Sequence, residues 1–109
     1  MSGFDLDLFA RAVASHETVG RTAGYGKPPY NNCFGIKNGR TAPCKKIGRN
    51  RMCMYEKRED SFVAFKKIWT RWYGELPTLQ DAAIYSHSNG VNWKNVVMMY
   101  YNNPHKLKI

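Results

Sequence analysis

Acidic residues are scarce. The chain of 109 residues holds eight Asp and Glu against seventeen Lys and Arg, a formal net charge of +9. Such a balance argues against cationic partners and leaves anionic ones open: nucleic acid, acidic lipid and anionic cell-wall polymer. Long apolar runs are absent too. None approaches the ~18 residues that a membrane-crossing helix needs, so no membrane span is expected. Cysteine is limited to Cys33, Cys44 and Cys53, and no pair has the C-x2-C spacing of a zinc knuckle or ribbon. A metal site would have to join all three to His16 or His87; neither metal nor cofactor is expected. A Cys44–Cys53 bridge closing a basic loop suits an oxidising compartment. Otherwise the three are small buried residues or free thiols. Met1 to Leu8 carries two aspartates and lacks the basic-then-apolar layout of a secretory signal. Export would then need another route, a leader or a larger parent protein.

The composition is 43% hydrophobic and 14% aromatic, too apolar for a disordered basic tail. The length suits one domain over residues 1–109, with a core of modest depth. From Phe4 to Glu17, the positions Leu6, Phe9, Ala10, Val13 and Ala14 step by three and four and predict an amphipathic helix. Gly20, Gly24, Gly26, Pro28 and Pro29 then preclude a long helix. Cys33–Lys37 is a strand candidate followed by the turn pair Asn38-Gly39, and Arg51–Glu56 is a second with an uncertain pairing partner. Phe62, Phe65, Ile68, Trp69 and Trp72 resume helical spacing, which Gly74 and Pro77 end. Thr78-Leu79-Gln80-Asp81 resembles a capping box opening a short helix. Ser86 to Asn92 reads as a loop, and Trp93, Val96, Val97, Tyr100 and Tyr101 as a last helix stopped by Pro104. The expected class is α+β: a mainly helical domain with a small, irregular β-lobe.

Glu17 is the most informative acid. It falls four residues after Val13 and so continues the apolar stripe of the first helix. Burial disfavours a charged carboxylate, and a carboxyl group kept protonated can act as general acid in glycoside cleavage. On the stripe alone, a helix-terminal glutamate turned to water or to the next loop explains it as well.

The neighbouring residues add to that. Ala12-Val13-Ala14-Ser15-His16-Glu17-Thr18-Val19-Gly20, then a glycine-rich loop, then Asn31-Asn32-Cys33-Phe34-Gly35-Ile36-Lys37, resembles the glucosaminidase branch of the lysozyme superfamily. Tyr55 to Phe62, Tyr85-Ser86-His87-Ser88 and Trp93-Lys94-Asn95-Val96 are similar to later parts of peptidoglycan-cleaving domains, so the likeness covers roughly residues 9 to 101. The resemblance implies a lysozyme-like fold that cleaves the glycan of bacterial peptidoglycan as an extracytoplasmic monomer, with Glu17 as catalytic acid. It implies that Asn31, Asn32 and Phe34 shape the wall between lobes and that Tyr85 faces the cleft. Thr18-Val19-Gly20 after the glutamate and Ser-His-Ser-Asn after Tyr85 depart from the family pattern, which leaves the bond cleaved and the reaction type open.

A two-carboxylate glycosidase needs a second acid beside the cleaved bond. Glu56, after the second strand candidate, is the candidate for it. Glu59 and Asp60 are explained by the first turn of a helix. A single-acid reaction of the lytic transglycosylase kind is the alternative. Trp69 and Trp72 read as core and Trp93, opening a helix beside a polar loop, as a substrate-contact candidate. Tyr100 and Tyr101 cannot both face the core. Lys37, Arg40, Lys45, Lys46, Arg49, Arg51, Lys57 and Arg58 face one acid, Glu56, over the same stretch. With Tyr30, Phe34 and Tyr55 nearby, they also fit a non-catalytic module binding single-stranded nucleic acid or anionic wall polymer. No nucleic-acid-binding signature accompanies them, so no nucleic acid is expected as partner.

Overall fold

A computed structural model of the chain describes residues 4–18, 25–40, 43–74 and 78–108. Four α-helices and a two-stranded antiparallel sheet make up the described chain, an α+β arrangement. The helices are α1 (Leu6–Thr18), α2 (Arg58–Tyr73), α3 (Leu79–Ser88) and α4 (Val91–Asn102); the strands are β1 (Lys46–Ile47) and β2 (Cys53–Met54). No helix among the described residues is long and apolar enough to cross a membrane.

The stripe on α1 does what its spacing requires. Phe9, Ala10, Ala12, Val13 and Ala14 are all buried, and α1 packs chiefly along α4. Asp5 caps the helix by accepting the Leu8 N–H at 3.0 Å, satisfying one of the orphan donors of the first turn. The end of the chain holds α1 at both ends: the Tyr101 hydroxyl accepts the Asp5 N–H, and the buried Ser15 hydroxyl accepts the Lys108 N–H, each at 3.0 Å. Phe65 and Trp69 from α2, Ala82 from α3, and Val97 and Tyr100 from α4 close the core over Phe9. Tyr101 is half-buried and stacks on Phe4, so both C-terminal tyrosines are packed and neither lines open surface.

Thr78 caps α3 as the sequence suggests, its hydroxyl accepting the Asp81 N–H at 3.1 Å. The stretch from Ser86 to Asn92 departs from the expected loop. Helix α3 continues to Ser88, and α4 begins at Val91 after Gly90, whose φ of 104° makes the sharp reversal. Gly20 and Gly24 of the glycine-rich connection, and Pro77 before α3, lie outside the described residues.

The β-lobe also differs from expectation. Cys33–Lys37 is not a strand, and Lys37 alone bridges to Met52. Gly35 at φ 66° and the buried Asn32 fold this segment back on itself. The partner of β2 is β1, in the register Lys46↔Met54 and Ile47↔Cys53, and the hairpin turns through Gly48 to Met52 and not at Asn38-Gly39. A Cys44–Cys53 disulfide closes that hairpin across a Cα–Cα distance of 5.8 Å. These two sulfurs are therefore spent on each other and are not metal ligands, while Cys33 is buried as a free thiol whose pKa burial raises.

Candidate active site

Glu17 stands in the last turn of α1 and is half-buried where α4 begins. Seventy-six residues further on, the Trp93 indole Nε1–H donates to Glu17 Oε2 at 2.8 Å. Val91 opens α4 and Trp93 stands in its first turn, so the start of one helix meets the end of another. The same indole packs edge-on against His16 at 5.8 Å and against Tyr85 at 5.6 Å. One ring thus holds the carboxylate through its polar edge and the aromatic cluster through its faces and rim.

Tyr85 is the hub of that cluster, with ring contacts to Phe9, Phe65, Trp69 and Trp72 as well as Trp93. Its phenol is pushed up to about 12, first by burial, then by the negative charge of Glu17 and last by Tyr73. At neutral pH the hydroxyl is therefore a neutral donor. Its response to the Glu17 charge puts the two functional groups in one electrostatic neighbourhood.

A pocket of about 230 Å³ lies beside Tyr85, between one face of α2 and the backbone turn leading into the β-lobe. Phe34, Gly35, Ile36 and Lys37 line one side and Phe65, Ile68, Trp69 and Trp72 the other. Phe34 stacks on Phe65 with centroids 4.3 Å apart, which joins the two walls.

Asn32 shapes this wall from within. It is 2% exposed; its Nδ2 donates to the Ile36 and Cys53 carbonyls, and its Oδ1 accepts the Phe34 and Ile36 N–H groups. Its side-chain amide is thus engaged within the wall itself. Asn31 Nδ2 donates to the Tyr55 and Glu56 carbonyls at 3.0 Å each, clamping the wall to the end of β2. The Glu56 side chain is exposed and is not part of the pocket lining.

Trp72 is the residue that sequence pattern misassigned. Its partner on the stripe, Trp69, is 1% exposed, but Trp72 is 52% exposed at the rim of the pocket. The periodicity of α2 continues past the point where other elements cover it. The only sequence signal was a large aromatic placed two residues before the Gly74 stop. No protein-family model, curated protein or solved structure gives a significant match to the chain.

Proposed function

We propose that this chain is a glycosidase of lysozyme-like architecture that cleaves the glycan strand of bacterial peptidoglycan, with Glu17 as general acid. The observation that carries the reading is the Glu17–Trp93–Tyr85 constellation, which reaches the aromatic pocket between helical and β-lobe walls through Tyr85, the one of the three that lines it. Glycans suit such a site: their rings present apolar C–H faces to aromatics and hydroxyl or amide groups to donors. In this reading the exposed face of Trp72 carries a sugar ring, and Phe34 and Ile36 pack its apolar edge. The neutral Tyr85 hydroxyl donates a hydrogen bond to an oxygen of the same sugar.

The chemistry follows from the acid. Glu17 in its carboxylic form gives its proton to the glycosidic oxygen as the bond from that oxygen to the anomeric carbon breaks. The leaving strand departs as an alcohol, and the Trp93 indole N–H holds the carboxylate left behind. Glu56 is the proposed second carboxylate, stabilising positive charge on the sugar, and its exposure makes a single-acid reaction the competing form. Water then adds at the anomeric carbon, or a hydroxyl of the same sugar closes on it, and in either case the proton released returns to the Glu17 carboxylate.

Purified peptidoglycan incubated with the protein tests the reading. Glu17→Gln should abolish release of soluble fragments while leaving the circular dichroism spectrum unchanged. Product masses separate hydrolysis from intramolecular closure by the 18 Da of one water. Glu56→Gln should lower the rate if two carboxylates act and leave it unchanged if Glu17 acts alone. Unmodified, folded protein that releases no fragments would sink the proposal.

A further inference from the structure

The net charge of the chain has an address. Between positions 37 and 58, eight bases face one acid, a surplus of seven within a total of +9. Its densest part is the loop closed by Cys44 and Cys53, where Lys45, Lys46, Arg49 and Arg51 occupy four of eight intervening positions and no acid is present. All four are exposed, and none forms an ion pair among the described residues. Lys37 bridges to this hairpin through Met52, and Arg51 Nη2 donates to the Asn38 carbonyl at 3.4 Å, which brings the 37–40 segment alongside.

The scaffold under these cations is built to hold them in place. The disulfide, the two-residue ladder, and left-handed Asn50 and Arg51 at φ 56° and 61° define the turn. Tyr30 supports it from below by accepting the Arg49 N–H at 2.8 Å, and Tyr25 accepts the Asn50 side-chain amide at 3.4 Å while packing edge-on against Tyr30. That use of the tyrosines discriminates between partners. Binding of single-stranded nucleic acid needs aromatic faces free to stack on bases. Here Tyr25 and Tyr30 are half-buried, packed on each other and bonded to the hairpin, Tyr30 at its backbone and Tyr25 at the Asn50 side chain. Like-charged side chains on a braced hairpin backbone, with neither supporting tyrosine free to stack, fit a polyanion that has charge and no rings. Arg adds a planar fork that matches the two free oxygens of a phosphodiester. A disulfide inside the binding element further places its use in an oxidising, extracytoplasmic setting.

We propose that the disulfide-closed hairpin is a docking surface for a phosphodiester-linked polyol polymer of the cell envelope, engaged separately from the aromatic pocket. It goes beyond glycan cleavage and stands whether or not the chain cleaves glycan, because its test reads binding alone.

The probe is poly(glycerol phosphate), titrated by isothermal calorimetry or fluorescence anisotropy from 50 to 200 mM salt, with poly(dT) and polyglutamate compared at equal anion concentration. Binding should weaken with salt, and poly(glycerol phosphate) should bind most tightly. The double variant Lys46→Gln/Arg49→Gln should weaken binding at least fivefold at 100 mM salt. It should also flatten the log–log salt slope by up to about 1.4, at ~0.7 for each phosphate no longer neutralised on a single-stranded polyanion. Lys67→Gln/Lys108→Gln removes the same charge from exposed sites elsewhere and should change binding less than twofold. Equal losses in both double variants would make the effect one of overall charge and overturn the proposal. So would tighter binding of poly(dT) or polyglutamate, or no binding to poly(glycerol phosphate).

Discussion

Tyr85 offers a direct test of the proposed neighbourhood, because its phenol reports burial and the Glu17 charge together. An unfolded tyrosine titrates near ~10, and in the fold Tyr85 is pushed up to about 12. The folded state thus favours the protonated phenol, so its stabilising contribution is complete below the unfolded value and is lost as pH rises towards the folded one. The whole gap corresponds to roughly 2–3 kcal/mol, of which about 2 kcal/mol should be gone by pH 11.5. Tyr85→Phe keeps a ring against Phe9, Trp69 and Trp93 but has nothing to ionise. Urea unfolding at pH 9 and 11.5 should therefore show a steeper loss in the unmodified chain than in Tyr85→Phe. The difference in tyrosinate absorbance at 295 nm between the two proteins gives the midpoint of Tyr85 itself. In Glu17→Gln that midpoint should fall, yet stay above ~10, because burial is the largest cause and the carboxylate only the second. A midpoint near 10 in the unmodified protein would refute the buried hub. A midpoint that ignores Glu17→Gln would refute the adjacency of acid and phenol.

Trp72→Ala should leave stability within about 0.5 kcal/mol, as for other exposed side chains, and raise KM for glycan about five- to twentyfold with little change in kcat; steady-state kinetics on soluble glycan fragments would check it. Gly48→Ala should cost about 1–3 kcal/mol in thermal unfolding, the range for overpacking, because the added Cβ would lie 2.5 Å from the Tyr30 hydroxyl and 2.6 Å from its ring edge. Opening the Cys44–Cys53 bridge should cost about 2–3 kcal/mol by releasing a short closed loop in the unfolded chain; urea titration with and without reductant measures it. Before reduction, a thiol reagent should leave the native protein unlabelled, because Cys33 is fully buried with its thiol pKa raised.

The helices were legible because their signal is local. Five apolar positions at helical spacing define α1, and Thr78 ahead of Asp81 marks the start of α3. Glu17 was legible as a candidate for the same reason, being the one acid that continues a buried stripe. Its partner was not. The bond from Trp93 spans 76 residues, and no spacing rule connects the last turn of α1 to the first turn of α4. The β-lobe was misread where side chains outweighed pattern. Cys33–Lys37 reads as a strand candidate, yet Asn32 captures the Phe34 and Ile36 N–H groups that a ladder would have used. Asn38-Gly39 has the composition of a hairpin turn, but Asn38 spends its side chain accepting the Cys44 N–H, and the chain turns ten residues later. Trp72 shows the limit of periodicity: a stripe says which face is apolar, not how far along the helix that face is covered.

One residue joins the two surfaces proposed for this chain. Asn32 Nδ2 bonds the Ile36 carbonyl in the pocket wall and the Cys53 carbonyl in the disulfide-closed hairpin. Cys53 N–H in turn donates to the Ile36 carbonyl at 3.0 Å, so wall and hairpin share a short closed circuit of hydrogen bonds. Its members are buried, and leaving any of these polar groups unpaired would cost on the order of 1–3 kcal/mol. The geometry of the pocket wall is therefore set partly by the element that carries the cations. An anchored hairpin fixes Ile36, Ile36 fixes one side of the pocket, and Phe34 carries that position across to Phe65 on α2. The α1 acid, by contrast, is positioned by α4 through Trp93 and owes nothing to this circuit. Loss of the bridge should consequently disturb the pocket wall and the cationic surface together while the Glu17–Trp93 bond persists.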